Sequence, residues 1–431
     1  MSAPTRVYFD VENTLRVPFL SGIQRVVREL SRRLIDNNDS EFEFIPVVYC
    51  SYCNGWRKLL ADETEQLQKL SLRNTVVNQD IPGYRLLTTK LLSRKVKAKV
   101  RSLFNRITHP VCHKGFLLPI FEAGSIFLDL DASWHNELKR SSLLPALKAE
   151  GVSIVSFHYD ITPILFPELT HEAVYPLFIE HLHAHLRYCD LFICISKNSE
   201  KDLRKYCCQQ LSGKRLNTTT IKLGADIARE YTEDISWQFP VKKLKYILSV
   251  GTIQPRKNYG LLLDAFDFLS SKYPDLCLVI VGRYGWGSEK TIARIREHEL
   301  HDKRLFWFSG IEDERLSLLY KYAFLNVIPS SYEGFGLPLT EALQLGCVTI
   351  CSDRGALKEV GGDFVEYFDP EKLNELIDLF ETYITDQKVF IYRSLLEKYH
   401  APCWSDTVSE LIGIFDDKFS VMTCNTEALV E

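Results

Sequence analysis

Leu325-Asn-Val-Ile328 runs straight into Pro329-Ser-Ser-Tyr-Glu-Gly-Phe-Gly-Leu-Pro-Leu-Thr-Glu341, and this stretch decides the fold. The first four residues have the length and character of a short buried strand. Gly334 and Gly336 then permit a tight loop. Pro338 fits the first position of a helix, where its missing N–H leaves no bond unmade. Strand, glycine-bearing loop and helix in that order form the repeating unit of a parallel sheet covered on both faces. The same alternation extends outward. Tyr246–Val250, Leu276–Val281, Leu305–Phe308, Val348–Cys351 and Phe364–Tyr367 read as strands. Helical periodicity fills the gaps, at Leu261, Leu262, Ala265, Phe266 and Leu269, and at Leu316, Leu318, Leu319 and Ala323.

The N-terminal half follows the same grammar with more interruption. Arg6–Phe9, Glu43–Tyr49, Ser125–Leu130, Ser153–Phe157 and Leu191–Ile195 read as strands, Gln24–Leu34 and Ser196–Tyr206 as helices. The expectation is an α/β protein of two doubly wound, Rossmann-like domains facing a cleft: residues 1–225, a linker at 226–241, and residues 242–400. The remaining residues, 401–431, read as a terminal helix crossing back to the first domain, and a tail. Ligands of such sheets bind beyond the carboxyl ends of the strands.

The 431 residues are 46% hydrophobic and 25% charged, ordinary for a globular chain and unlike disordered, collagenous or coiled-coil proteins. The net charge of −4 hides a split. Residues 1–110 carry 18 Lys+Arg against 11 Asp+Glu, and the other 321 residues carry 34 against 45. Among twelve cysteines only Cys50-Ser-Tyr-Cys53 has metal or redox spacing, and no second pair completes a zinc site. With no membrane-length apolar run and no leader-like start, the chain reads as cytoplasmic with reduced thiols.

Two segments carry the chemistry. Glu333 and Glu341 place one acid in the loop and another about a turn into the helix. Carboxylates accept hydrogen bonds from vicinal hydroxyls, so sugar or ribose recognition is a natural use. Gly334 and Gly336 let backbone N–H groups approach a ligand at a helix N-terminus that favours negative charge. The second segment, Ser249-Val-Gly-Thr-Ile-Gln-Pro-Arg-Lys-Asn258, sets Arg256 and Lys257 at a loop-to-helix junction, where both charges can converge on a diphosphate. Taken singly, each segment could equally be a solvated edge.

Taken together they resemble the retaining family 4 glycosyltransferases of GT-B fold. Gly251–Asn258, Phe306–Leu316, Leu319–Ala323, Glu333–Glu341, Gly346 and Ser352–Val360 carry the likeness through the C-terminal half. Ser21–Val26, Phe157–Asp160, Pro163, Phe166–Glu168 and Asp190–Ser196 carry it as islands in the N-terminal half. The closest pattern is that of bacterial mannosyl- and rhamnosyltransferases of surface polysaccharide. The resemblance implies a hexosyltransferase that moves mannose from GDP-mannose, with retention, to a saccharide or lipid-linked saccharide such as an O-antigen intermediate. Rhamnosyl or glucosyl transfer from a dTDP- or UDP-sugar is the alternative. A phosphorylase, an epimerase or a non-catalytic sugar-binding protein could share the fold.

The same resemblance assigns roles. Glu341 would bind the ribose, Glu333 the donor sugar, and Arg256 and Lys257 the departing diphosphate, with Gly251 beside them. Backbone groups of Gly334, Phe335, Gly336 and Leu337 would add donors. His158 would contact the donor sugar. Ser21, Gly22 and Ile23 would form a loop near donor phosphate and acceptor, with Asp160 on the acceptor side. No cofactor and no metal are expected, the nucleotide sugar being a substrate.

Other candidates read more plainly. Asp129-Leu-Asp131 is an Asp-x-Asp lying in a strand far from the nucleotide segments, so a strand-end role is expected. His181 and His185 stand at i, i+4 without the companion Glu or third ligand of a metal helix. Trp134 and Trp404 read as packing residues. Arg85 to Arg106 holds eight basic residues and no acid, interleaved with Leu86, Leu87, Leu91, Leu92, Val96, Val100, Leu103 and Phe104. Such a stretch, within a basic insertion at about 85–107, suits either a solvated helix or peripheral contact with an anionic membrane, here the inner face of the plasma membrane. Without aromatic interleaving or a known module, nucleic acid is not an expected partner.

Overall fold

The computed structural model describes residues 4–17, 21–37, 41–50, 55–69, 121–211, 214–227, 239–386 and 388–426, with side chains as far as residue 419. The basic stretch Arg85–Arg106 lies outside the described residues. The strands are β1 (Thr5–Asp10), β2 (Phe42–Cys50), β3 (Gly55–Lys58), β4 (Ile126–Asp129), β5 (Ser153–His158), β6 (Leu191–Cys194), β7 (Thr218–Thr220), β8 (Lys245–Val250), β9 (Leu276–Val281), β10 (Leu305–Phe308), β11 (Leu325–Ile328), β12 (Thr349–Ser352) and β13 (Glu366–Phe368). They form two sheets, ordered β3-β2-β1-β4-β5-β6-β7 and β10-β9-β8-β11-β12-β13. Pairing is parallel except where the edge strand β3 folds back on β2. In each sheet the order reverses beside the first strand, the switch point where α/β proteins place ligands. Two doubly wound sheets are therefore present, as the alternating pattern predicts.

The chain divides into two compact units, Met1–Ser156 with His183–Asp190, and Phe157–Leu182 with Leu191–Glu431. In the first, Tyr8, Ile45, Val47, Phe127, Leu144 and Ile154 build the core. Arg28 is fully buried, and its guanidinium donates to carbonyls at the C-terminal end of helix Ala61–Gln68, including that of Leu67 at 3.2 Å, where the helix dipole favours a cation.

In the second unit, alternate residues of β8 and β9 feed different clusters. Ile247, Leu278 and Ile280 face one way with Ile292 and Ile295 of helix Glu289–Glu297. Tyr246, Leu248, Cys277 and Val279 face the other way with Leu316, Leu319 and Tyr320 of helix Asp313–Tyr322. A period of two on strands covered on both sides requires this. Each fully buried Leu, Ile or Val here contributes roughly 1.5–3 kcal/mol. The terminal helix Trp404–Thr426 is tied to the chain around the start of the linker: the Thr407 hydroxyl accepts from Gly224 N–H at 2.8 Å and Trp404 N–H donates to Asp226 at 2.6 Å. Trp404 is a buried packing residue, as read. Among the described residues no helix is long and apolar enough to cross a membrane.

Candidate active site

The acidic loop begins where β11 ends. Ser330 to Gly336 connect that strand to helix Leu337–Gln344. Gly336 takes the position before the helix with φ +106°, a conformation open to glycine. The helix therefore starts at Leu337 and Pro338 is its second residue, one later than the sequence reading had it. Arg256 and Lys257 sit in a single 3-10 turn, Pro255–Lys257, leading into helix Tyr259–Lys272, and this is the loop-to-helix junction expected.

These two segments meet. Arg256 donates to the Glu333 carboxylate at 2.8 Å and to the Tyr332 carbonyl at 2.5 Å. Lys257 reaches the other Glu333 oxygen at 2.5 Å, and the Ser330 hydroxyl donates to that same oxygen at 2.6 Å. Backbone bonds lock the arrangement, from Ser331 N–H to the Arg256 carbonyl and from Ala356 N–H to the Glu333 carbonyl, both at 2.8 Å. Glu333 is 6% exposed. Burial alone would raise its carboxyl, but Arg256 and then Lys257 outweigh that and pull it down to about 2. Burial lowers the Lys257 ammonium; Glu333 raises it in part, and repulsion from the Arg256 charge lowers it again. One carboxylate thus holds two cations side by side inside the unit.

Glycines allow this approach. A Cβ on Gly251 would meet the Lys257 side chain at 3.4 Å, and the Tyr259 hydroxyl holds the Gly251 carbonyl at 2.7 Å. A Cβ on Gly334 would lie 2.7 Å from a carboxylate oxygen of Asp160. Asp160 also accepts from Thr162 N–H at 2.8 Å and acts electrostatically on both Arg256 and Lys257. Asp160 thus joins the charge cluster itself, although the sequence reading assigned it to the acceptor side.

Glu341 and His158 have other neighbours. Glu341, 5% exposed, lies on the fifth residue of its helix, with the Tyr320 hydroxyl 3.4 Å away. His158 ends β5, 6% exposed and edge-on to Phe192. Phe335 and Leu337 flank Gly336 at the helix start. Ser21, Gly22 and Ile23 belong to the first unit. Only Ser21 is extended backbone; Gly22 and Ile23 are already the first turn of helix Gly22–Ile35. That corrects the expected loop, and the backbone bond from Arg25 N–H to the Ser21 carbonyl at 2.9 Å, which closes the first turn, is the reason.

A support that sequence reasoning missed holds the acidic loop from helix Lys197–Gln210. Ser196 and Ser199 hydroxyls converge on the Gly334 carbonyl at 2.7 and 3.0 Å. Tyr332 donates to Asp202 at 2.6 Å and accepts from Asn198 at 3.0 Å. Glu359 accepts from Lys197 and Asn198 N–H groups at 2.8 and 3.0 Å, a carboxylate at the positive end of that helix. The Ser196-x-x-Ser199 spacing was the one available signal, and it reads equally as a helix cap.

In the first unit Asp129 and Asp131 have the strand-end role expected. Arg140 binds Asp129 at 2.7 and 2.9 Å and also Asp10; His185 lies 2.8 Å from Asp129. Burial would raise Asp129, yet Arg140 and His185 hold it well below the usual range. Asp131 accepts from the N–H and hydroxyl of Thr14 at 2.6 and 2.9 Å.

Residues 232–399 match the sequence family described as glycosyl transferases group 1. That part of the chain is similar to a group 1 glycosyl transferase domain. Arg256, Lys257, Glu333 and Glu341 all lie inside that domain. Across 281 residues the chain is 26% identical to the serotype-specific mannosyltransferase WbdA of Escherichia coli, covering 62% of this chain and 34% of that one. It is 29% identical over 237 residues to the O-antigen chain mannosyltransferase B of Escherichia coli, covering 52% and 59%. The matches thus span about a third to somewhat over half of those relatives. Among solved structures, sucrose-phosphate synthase from Thermosynechococcus elongatus superposes with a TM-score of 0.63 over 97% of this chain and 100% of that one, at 15% identity. HepE from Anabaena, solved with UDP and glucose, gives 0.60 over 96% and 99%, at 14% identity. The fold is GT-B, and the resemblance read from the group 1 domain's motifs is borne out.

Proposed function

We propose that the protein transfers a mannosyl residue from GDP-mannose, with retention of the anomeric configuration, to a glycan or lipid-linked glycan in surface polysaccharide assembly. One observation carries this reading: the buried Glu333 carboxylate shared by Arg256 and Lys257 at the end of β11. The two adjacent cations match a diphosphate, and the carboxylate matches sugar hydroxyls. The mannosyltransferases among the relatives support the choice of sugar.

In this reading the diphosphate lies on Arg256 and Lys257, which compensate its charge without a divalent metal or other cofactor. The C1–O bond to phosphate breaks as the acceptor oxygen bonds to C1 on the same face. The acceptor proton passes to the leaving phosphate. Charge develops on that leaving group, so its two fixed cations supply the largest stabilisation. Glu333 orients the donor sugar and Glu341 the ribose, with Gly251, Gly334, Phe335, Gly336 and Leu337 lining the donor. His158 adds a donor-sugar contact, Gly22 serves the donor, and Ser21, Ile23 and Asp160 serve the acceptor. The protein works in the cytoplasm, with Arg85–Arg106 holding it against an anionic membrane surface, a proposal resting on sequence alone.

A thermal-shift screen against GDP, UDP, dTDP and their sugars tests the donor, because a ligand of the native state raises its stability. The expected result is a selective shift with GDP and GDP-mannose. A selective response to UDP or dTDP compounds transfers the assignment to glucosyl or rhamnosyl chemistry.

A further inference from the structure

We propose that Trp286 and Tyr284 form an aromatic shelf that binds a sugar ring of the saccharide acceptor. The inference rests on the donor placement proposed above. Both rings belong to the loop Arg283–Gly287 that follows β9, and both are exposed, Tyr284 by 54% and Trp286 by 39%. Tyr and Trp rings, apolar in body with a polar edge, suit recognition surfaces where they stand exposed together. A sugar offers such a ring the C–H groups of one face, while its hydroxyls stay in water.

The loop is fixed against the donor segment. Ile253 N–H donates to the Arg283 carbonyl at 2.8 Å, and Ile253 and Tyr284 form a parallel bridge. A Cβ on Gly285 would meet the Ile253 carbonyl at 2.5 Å, and one on Gly287, at φ +66°, would meet the Pro255 ring at 3.0 Å. Two glycines around Trp286 thus bring its backbone down onto the loop that carries Arg256 and Lys257. The Tyr284 hydroxyl is anchored to Glu289 at 2.9 Å, which orients the half-exposed ring. Trp286 stands edge-on to His171, with centroids 5.7 Å apart.

The shelf is also continuous with the acidic loop. The segment Asp160–His171 touches Gly334 through Asp160, Tyr332 through Phe166 at 5.2 Å between ring centroids, and Trp286 through His171. The donor ribose, placed on Glu341 in the proposed function, lies elsewhere. Glu341 lies beside Tyr320, whose helix covers one face of the sheet, whereas the Trp286 loop leads into helix Glu289–Glu297 on the other face. Beyond the diphosphate on the Trp286 side, we seat the acceptor.

Saturation-transfer NMR on the full chain with GDP and an α-linked mannotriose tests the shelf. Wild type and Trp286→Phe should transfer saturation to the trisaccharide, and Trp286→Ala should weaken its binding roughly tenfold, about 1.4 kcal/mol. GDP affinity, read by thermal shift, should change less than about twofold in either variant, well under that 1.4 kcal/mol. Saturation transfer that survives in Trp286→Ala, or is missing from wild type, overturns the shelf. So does a parallel loss of GDP affinity, which would assign the ring to the nucleotide. If wild type binds no nucleotide sugar, the proposed function falls independently of the mannotriose result.

Discussion

Glu333 stands between two cations that its own burial would otherwise leave uncompensated. Neutralising it as Glu333→Gln strands Arg256 and Lys257, and breaking a buried pair in this way costs about 3–5 kcal/mol. The expected outcome is a lower unfolding temperature for the free protein and a larger rise on adding GDP than wild type shows. An unchanged GDP response would mean the diphosphate does not use this charge. The pair also has a pH signature. The Glu333 carboxyl sits at about 2 in the folded state against an ordinary 4.5, so it stabilises fully above about pH 5. That contribution fades as pH falls through 4.5 towards 2, and denaturation curves of Glu333→Gln should lose this part of the acid limb.

At the scale of elements, the ends of β8 and β9 are held closer than any side chain allows. A Cβ on Gly282 would stand 1.8 Å from the Gly251 carbonyl, backbone against backbone, with no rotamer to relieve it. Gly346, at φ +69°, has open space around it. Urea denaturation should therefore show Gly346→Ala losing roughly 1–2 kcal/mol from its backbone conformation alone. Gly282→Ala should lose more, about 3 kcal/mol or beyond. Similar losses in the two would mean the strand ends are not locked.

The parallel strands of the second sheet were legible because burial on both faces leaves continuous apolar runs such as Leu276–Val281. The missed strands are edges. Gly55–Lys58 ends in two cations and Thr218–Thr220 is three polar residues, so neither carries an apolar signature. Phe364, read as strand, closes a 3-10 turn before β13. In the site, Arg256, Lys257 and Glu333 could be paired on chemistry alone, each being marked by its own glycine-bearing loop. The Tyr332–Asp202 bond joins residues 130 apart, and no local pattern announces it.

For the whole molecule, two charge features set the conditions of work. Burial, then Asp10, push the Asp131 carboxyl up to about 7 from an ordinary 3.8. The native state then binds this proton more tightly than the unfolded chain, so stability falls as pH rises from about 4 to 7 and levels off above. Asp131→Asn should flatten that fall in melting temperature between pH 5 and 8. Glu12, raised to about 7 chiefly by burial, keeps part of it. An unchanged slope would remove Asp131 from the account. The second feature is the acid-free run Arg85–Arg106. Replacing Arg94, Lys95, Lys97 and Lys99 with Gln should abolish co-sedimentation with anionic vesicles at low salt while leaving transfer to a soluble acceptor intact. Retained sedimentation would deprive the charge split of membrane meaning.

The central claim is that Arg256 and Lys257 receive the leaving diphosphate of a mannosyl donor. Its most direct test is mannosyl transfer from GDP-mannose to an α-linked mannoside acceptor, comparing wild type with folded Lys257→Ala and Glu341→Ala. The account predicts transfer by wild type, with each variant reduced at least about a hundredfold, the usual effect of losing one charge-stabilising group. Transfer at the wild-type rate in both variants would contradict it.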